Sequence, residues 1–191
     1  MGGHESDVVR PLGPRLWADL EALFGPRGAC GGCWCMWWRL TRSEFTAAKG
    51  EPNRAALHDL VAGGEVPGIL LYRGGEPVGW CSVAPRDRFP VLGRSRALPL
   101  VDDAAPWSVV CLFVRRDHRR AGMSVDLLRA AVDHAAAHGA AMVEGYPVEP
   151  KKGTMPDAFA WTGTVSAFRS AGFAEAARGP TGRPIMRHPV G

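Results

Sequence analysis

Residues 112–124 read Leu-Phe-Val-Arg-Arg-Asp-His-Arg-Arg-Ala-Gly-Met-Ser, and a leucine pair, Leu127-Leu128, follows. The segment runs from apolar to basic, passes a glycine and enters a helix-periodic stretch, which is the order strand, turn, helix. A turn of this kind suits an anion. The first amides of a helix have no intrahelical acceptor, and their aligned dipoles add partial positive charge, so main chain alone can hold a pyrophosphate. Arg119 and Arg120 add charge, Ser124 adds a hydroxyl donor, and at Gly122 no Cβ stands between phosphate oxygens and the backbone. With Leu112, Phe113, Val114, Ala121 and Met123, these are the candidate cofactor-binding residues. The plain alternative is an ordinary basic strand-to-helix turn.

A second segment, Cys30-Gly-Gly-Cys-Trp-Cys-Met-Trp-Trp-Arg39, gathers three thiols, three indoles and a cation into ten residues. Cys-x-x-Cys is half of a common zinc site, but no second such pair and no histidine pair completes it, so no metal is expected. A redox pair would open the helix of a βαβ unit, which this segment does not. The remaining readings are an apolar pocket wall made by Trp34, Met36, Trp37 and Trp38, or plain core packing with the cysteines as small hydrophobes.

The elements that must carry these residues follow from periodicity. Asp7 to Leu12 reads as a strand, and Leu16, Leu20 and Leu23 mark a helix from Pro14 to Gly25. A second helix is expected from Asn53, as N-cap, to Val61. Gly68–Arg73 and Val78–Val83 form a hairpin about Gly74-Gly75. Arg86 to Pro106 reads as a long surface loop. Trp107 to Val114 is a strand buried on both faces. In the next helix Val125, Leu128, Val132 and Ala135 face inward, while Asp126, Arg129 and Asp133 can pair outside. Ala140 to Val148 is a strand and Thr164 to Ala171 a short helix. Phe173–Ala177 and Arg183–His188 form a closing antiparallel pair. His118 and His134 are expected at the surface and Lys151-Lys152-Gly153 in a flexible loop, while Asp157 is either an exposed loop carboxylate or faces the cleft.

Composition bounds the rest. The 191 residues suit one domain, 1–191. The 23 basic and 19 acidic residues are interspersed without a Lys/Arg tract, so the net charge of +4 does not call for nucleic acid. No run is apolar enough for a membrane helix, no signal peptide opens the chain, and the five cysteines are odd in number. A cytoplasmic protein with reduced thiols is expected, and the sequence allows a homodimer.

The segment 112–128 resembles the acetyl-CoA motif of the GNAT superfamily of acyltransferases, Leu-x-Val followed by Arg/Gln-x-x-Gly-x-Gly/Ala and a Leu-Leu pair. Leu112, Val114, Arg119, Gly122, Leu127 and Leu128 fall in register. Ser124 departs from the usual Gly/Ala, and Arg116 stands where proline is common. Cys-Trp-Cys-Met-Trp-Trp-Arg with the later Glu-Gly-Tyr-Pro is similar to bacterial members of the superfamily. The resemblance implies a single α/β domain with a twisted mixed sheet flanked by helices, whose fourth and fifth strands splay so that the pantetheine arm pairs with the fourth. It also implies direct acetyl transfer from acetyl-CoA to an amine of a small molecule or peptide, with a strand N–H stabilising the oxyanion.

Where the family pattern Tyr-x-x-x-Gly-Phe supplies an acid, this chain has Phe168-Arg-Ser-Ala-Gly-Phe173. Glu144 and Tyr146, on one face of the neighbouring strand by alternation, become the candidates for proton transfer. The opposing reading gives Glu144 an ion pair and Tyr146 a place in the core. The resemblance also places the acceptor beside the segment between the first two helices, so Trp34, Trp37, Trp38 and Arg39 are the candidate acceptor residues. A non-catalytic acyl-CoA-binding or thiol/metal-sensing module is the competing function.

Overall fold

The computed structural model describes residues 7–150 and 160–191. A seven-stranded sheet runs in the order β1-β2-β3-β4-β5-β7-β6. The strands are β1 (Val8–Pro11), β2 (Ile69–Arg73), β3 (Glu76–Pro85), β4 (Trp107–Val114), β5 (Met142–Gly145), β6 (Ala174–Arg178) and β7 (Pro184–Pro189). Among these strands β4 and β5 pair in parallel and the other neighbours antiparallel. The helices are α1 (Trp17–Phe24), α2 (Arg42–Ala47), α3 (Glu51–Ala62), α4 (Pro90–Gly93), α5 (Met123–Ala137) and α6 (Val165–Ser170). The mixed α/β architecture is the one expected.

The hairpin β2–β3 turns on Gly74 and Gly75, with φ of 60° and 78°, a region that disfavours any residue with a Cβ. Strand β4 is buried on both faces: Val109 and Leu112 join the core under α5 and α6, while Cys111 joins the core under α1. A bulge makes this possible. Ser82 faces Cys111 and Val83 faces Val109, so Val110 is the extra residue on β4 and the side-chain alternation resets there.

Several expectations change. Helix α5 buries Met123, Leu127, Leu128, Ala131, His134 and Ala135, whereas Val125 and Val132 are only half-buried. The face turns because Leu127 settles over Gly79 of β3, where no side chain opposes it. His134 is therefore core rather than surface, and Arg129 donates to the Ser170 carbonyl at 2.9 Å. Asn53 is not a cap: α3 starts at Glu51, and the buried Asn53 donates to the Gly32 carbonyl at 3.1 Å. Helix α2 was not anticipated, although Thr41 and Glu44 form a capping box at its start. Residues 86–106 are not a surface loop, since Arg86, Phe89, Leu92 and Leu98 are buried. The strand expected over 140–148 stops at Gly145, and Val148 only bridges Thr164.

Candidate functional site

Strands β4 and β5 pair over Trp107–Val109 and Val143–Gly145 and then part, leaving Val110–Val114 without a β5 partner. The chain itself enters this splay. The Leu112 amide donates to the Trp161 carbonyl at 2.7 Å, and Val148 donates to the Gly163 carbonyl at 2.9 Å. Residues 161–163 thus lie between β4 and the continuation of β5. The fourth-strand amide of Leu112 is consequently satisfied within the protein.

Beside this splay runs a groove of about 540 Å³. One wall is Leu112, Phe113, Val114, Arg119, Arg120, Gly122, Met123 and Ser124, all predicted from sequence; Ala121, exposed in the same turn, does not line it. The other wall is Ala160, Trp161, Thr164, Ser166, Ala167 and Ser170, with Ala29 and Cys30 close by. Sequence reasoning missed this second wall. Its only local signal is Thr164, which caps α6 by accepting from the Ala167 amide.

The basic turn has the geometry of an anion cradle. Arg120 and Gly122 are both left-handed, with φ of 62° and 80°. A left-handed arginine is strained by roughly 1–2 kcal/mol, a cost characteristic of functional turns. Val125 and Asp126 make the first helical bonds, to the Gly122 carbonyl, so the amides of Met123 and Ser124 precede any intrahelical acceptor. Among the described residues, apart from its own chain neighbours and helix backbone, no atom lies within 4 Å of where a Cβ on Gly122 would sit, so its φ is what calls for glycine. Arg119 donates from Nε to the Val114 carbonyl at 3.0 Å, which ties the turn to the end of β4.

The Cys/Trp segment divides into three parts. Trp34 is core: it stacks on Trp17 at 6.1 Å and covers Gly28. Arg39 is also committed. It bonds Glu65 at 2.5 Å and the Arg88 carbonyl at 3.2 Å, and lies 4.8 Å over the Phe89 ring. Trp37 and Trp38 instead line a second cavity of about 420 Å³ with Thr41, Arg42, Val91, Arg94 and Ser95. Both indoles meet Trp161, at 6.5 and 6.3 Å between ring centroids, so the second cavity adjoins the groove across one aromatic contact.

The thiols are free. Cys35 accepts from Trp80 Nε1 at 3.1 Å. Burial pushes the Cys33 thiol up to about 11, and a hydrogen bond with Cys35 together with burial raises Cys111, so Cys33 and Cys111 stay protonated and are poor nucleophiles. Among the described residues no three His, Cys, Asp or Glu side chains gather as a metal ion would require.

Glu144 and Tyr146 share a face, as alternation requires, but the site there is closed. Both are fully buried. Glu144 accepts from Arg86 at 2.8 Å and Tyr146 at 2.7 Å on one oxygen, and from Arg187 at 2.7 Å on the other. Tyr146 also meets Ser108 at 2.9 Å and accepts from Arg86. Burial and the Glu144 charge drive the Tyr146 pKa far upward. Neither residue lines the groove. Phe168 is buried too, its ring set against Gly145 and Gly163. His118 is half-buried at the groove. Residues 151–153 and Asp157 lie outside the described residues.

Residues 34–148 match the family described as Acetyltransferase (GNAT) family. Similar solved structures include PaiA N-acetyltransferase from Thermoplasma acidophilum in complex with coenzyme A, 12% identical with a TM-score of 0.55 over 96% of this chain and 99% of that one. A GNAT family acetyltransferase from Streptococcus agalactiae is 13% identical, TM-score 0.58, over 97% and 96%. A Brucella melitensis GNAT family acetyltransferase in complex with acetyl-CoA is 12% identical, TM-score 0.51, over 98% and 90%. At these identities the likeness is one of fold. No curated protein sequence matches the chain. No helix among the described residues is long and apolar enough to cross a membrane.

Proposed function

We propose, from the premise that this chain belongs to the GNAT acetyltransferase family, that it moves an acetyl group from acetyl-CoA to an amine of a small molecule or peptide by direct transfer. The observation that carries this reading is the groove itself, which begins at the splay of β4 from β5 and ends on the left-handed turn at Gly122. Groove and turn match the parts of the donor. The Met123 and Ser124 amides and the α5 dipole take the diphosphate, with Arg119 and Arg120 adding charge. The thioester arm runs along Leu112–Val114 toward the sheet. Coenzyme A and acetyl-CoA in the Thermoplasma and Brucella structures support the choice of donor.

In the transfer, the lone pair of a neutral amine attacks the thioester carbonyl carbon. The carbonyl reforms as the C–S bond breaks and the sulfur leaves with that electron pair. The amine nitrogen loses one proton, and the CoA thiolate gains one. The Val110 bulge breaks the regular ladder of β4 beside the splay, which supports a β4 amide as donor to the developing oxyanion. Holding amine and thioester together supplies most of the remaining effect. Glu144 and Tyr146, with their hydrogen bonds closed among Arg86, Arg187 and Ser108, are read as positioning residues that fix β4 against β5 where the splay begins.

A second reading, an acyl-CoA binder without turnover, draws on the buried Phe168 ring standing where the family pattern has a tyrosine hydroxyl. Calorimetric titration with acetyl-CoA and CoA, followed by thiol release in the presence of amines, separates the readings. Saturable heat with amine-dependent thiol release is expected. Heat without release favours the binder, and no heat with either ligand removes both.

A further inference from the structure

The second cavity has a chemistry of its own. Among the described residues its lining contains two indoles, Trp37 and Trp38, and two guanidinium groups, Arg42 and Arg94, and no carboxylate. Trp37 is 37% exposed, high for an indole, and Trp38 Nε1 is buried without an acceptor. Arg39, Arg54, Arg73, Arg86, Arg178 and Arg187 bond carboxylates. Among the described residues the side chains of Arg42 and Arg94 make no hydrogen bond or ion pair. Hydrogen bonds from the Thr41 hydroxyl and amide, at 2.7 and 2.8 Å, and then the Arg94 charge lower the pKa of Glu44, an exposed acid outside the lining.

Position adds direction. Trp161 lines the cofactor groove, while Trp37 and Trp38 touch Trp161 and line the second cavity. The arginines line only the second cavity. A molecule lying along the indoles therefore has one end toward the thioester and the other toward two cations. Indole faces suit a flat ring. A cationic acceptor would face Arg42 and Arg94 with no acid among the described lining residues to offset them, whereas an acidic group would form charge-assisted hydrogen bonds.

We propose that this cavity is the acceptor pocket and that it takes an arylalkyl amine, one whose amine is carried on a carbon attached to an aromatic ring, with an acidic group on the opposite side of the ring. The proposal rests on the acetyltransferase reading for the reaction but not for the binding. Arg39, already engaged by Glu65 and Arg88, has no part in it. Arg42 and Arg94 select the acidic end, and Trp37, Trp38 and Trp161 select the ring.

The test uses three probes: 4-(aminomethyl)benzoate, benzylamine, which lacks the acid, and 6-aminohexanoate, which lacks the ring. Binding is followed by calorimetry on the full chain, with and without CoA. The expected result is that 4-(aminomethyl)benzoate binds at least about tenfold more tightly than either control, and that Arg42→Ala/Arg94→Ala removes the advantage over benzylamine while CoA affinity stays unchanged. Equal affinities for the three probes, or a preference that survives the double substitution, overturn the proposal. Because this readout needs no turnover, a failure of acetyl transfer counts against the enzyme reading and leaves the selectivity result standing. Where transfer is observed, kcat/KM must follow the same order, with the double variant acting through KM.

Discussion

Glu144→Gln is the substitution that distinguishes positioning from proton transfer. The carboxylate is fully buried and accepts from Arg86 and Tyr146 on one oxygen and from Arg187 on the other. Glutamine keeps one acceptor and turns an NH2 toward a guanidinium or hydroxyl donor, so one contact becomes donor against donor. It also leaves Arg86 buried beside no anion, while Arg187 keeps only the half-exposed Asp102. Removing one partner of a buried ion pair costs about 3–5 kcal/mol. For a chain of this size each kcal/mol moves Tm by roughly 2–4 °C, so a fall of about 6–20 °C is expected. The assay is reversible urea unfolding alongside calorimetric Tm, with pH profiles of transfer measured well below the new Tm. The positioning role predicts a large loss of stability and an unchanged shape of the pH profile. A loss under about 1 kcal/mol, accompanied by abolished transfer or a missing limb of the pH profile, would refute the reasoning and return Glu144 to proton transfer.

Two further outcomes follow from the turn and from helix α5. Gly122→Ala places a Cβ at φ 80° in open space, so the backbone cost is roughly 1–2 kcal/mol, while CoA affinity measured by calorimetry should fall at least about tenfold because the new methyl stands in the anion cradle. His134 is held down to about 4 by burial and by His138, below its unfolded value near 6.5. The unfolded chain therefore binds the extra proton first, and the contribution of His134 to stability is complete above about pH 6.5 and fades as pH falls toward 4. His134→Leu should flatten that acid limb in a plot of Tm against pH, and an unaltered limb would show that other groups produce it.

What could be read from the chain alone was whatever neighbours in sequence decide. Gly74-Gly75 sets the β2–β3 turn by its own φ values, and the apolarity of 107–114, broken only by Ser108, requires a strand covered on both sides. The basic turn before α5 likewise presents eight of its nine predicted residues to the groove, because a strand, a glycine and a helix start fix one another's geometry over a dozen residues. Local pattern fails where the partner is remote. The segment 86–106 looked like surface because its turn residues were visible and the carboxylate that buries Arg86 was 58 residues away. The inner face of α5 was set by the absence of a side chain at Gly79, and the second wall of the groove by Trp161 reaching Leu112. Arg39 and Trp34 had the right residue types for an acceptor site, yet Glu65 and Trp17 claimed them. Backbone conformation and periodicity are properties of adjacent residues. Burial, ion pairing and the linking of two cavities through one indole arise from contacts that exist only once the sheet has brought distant segments together.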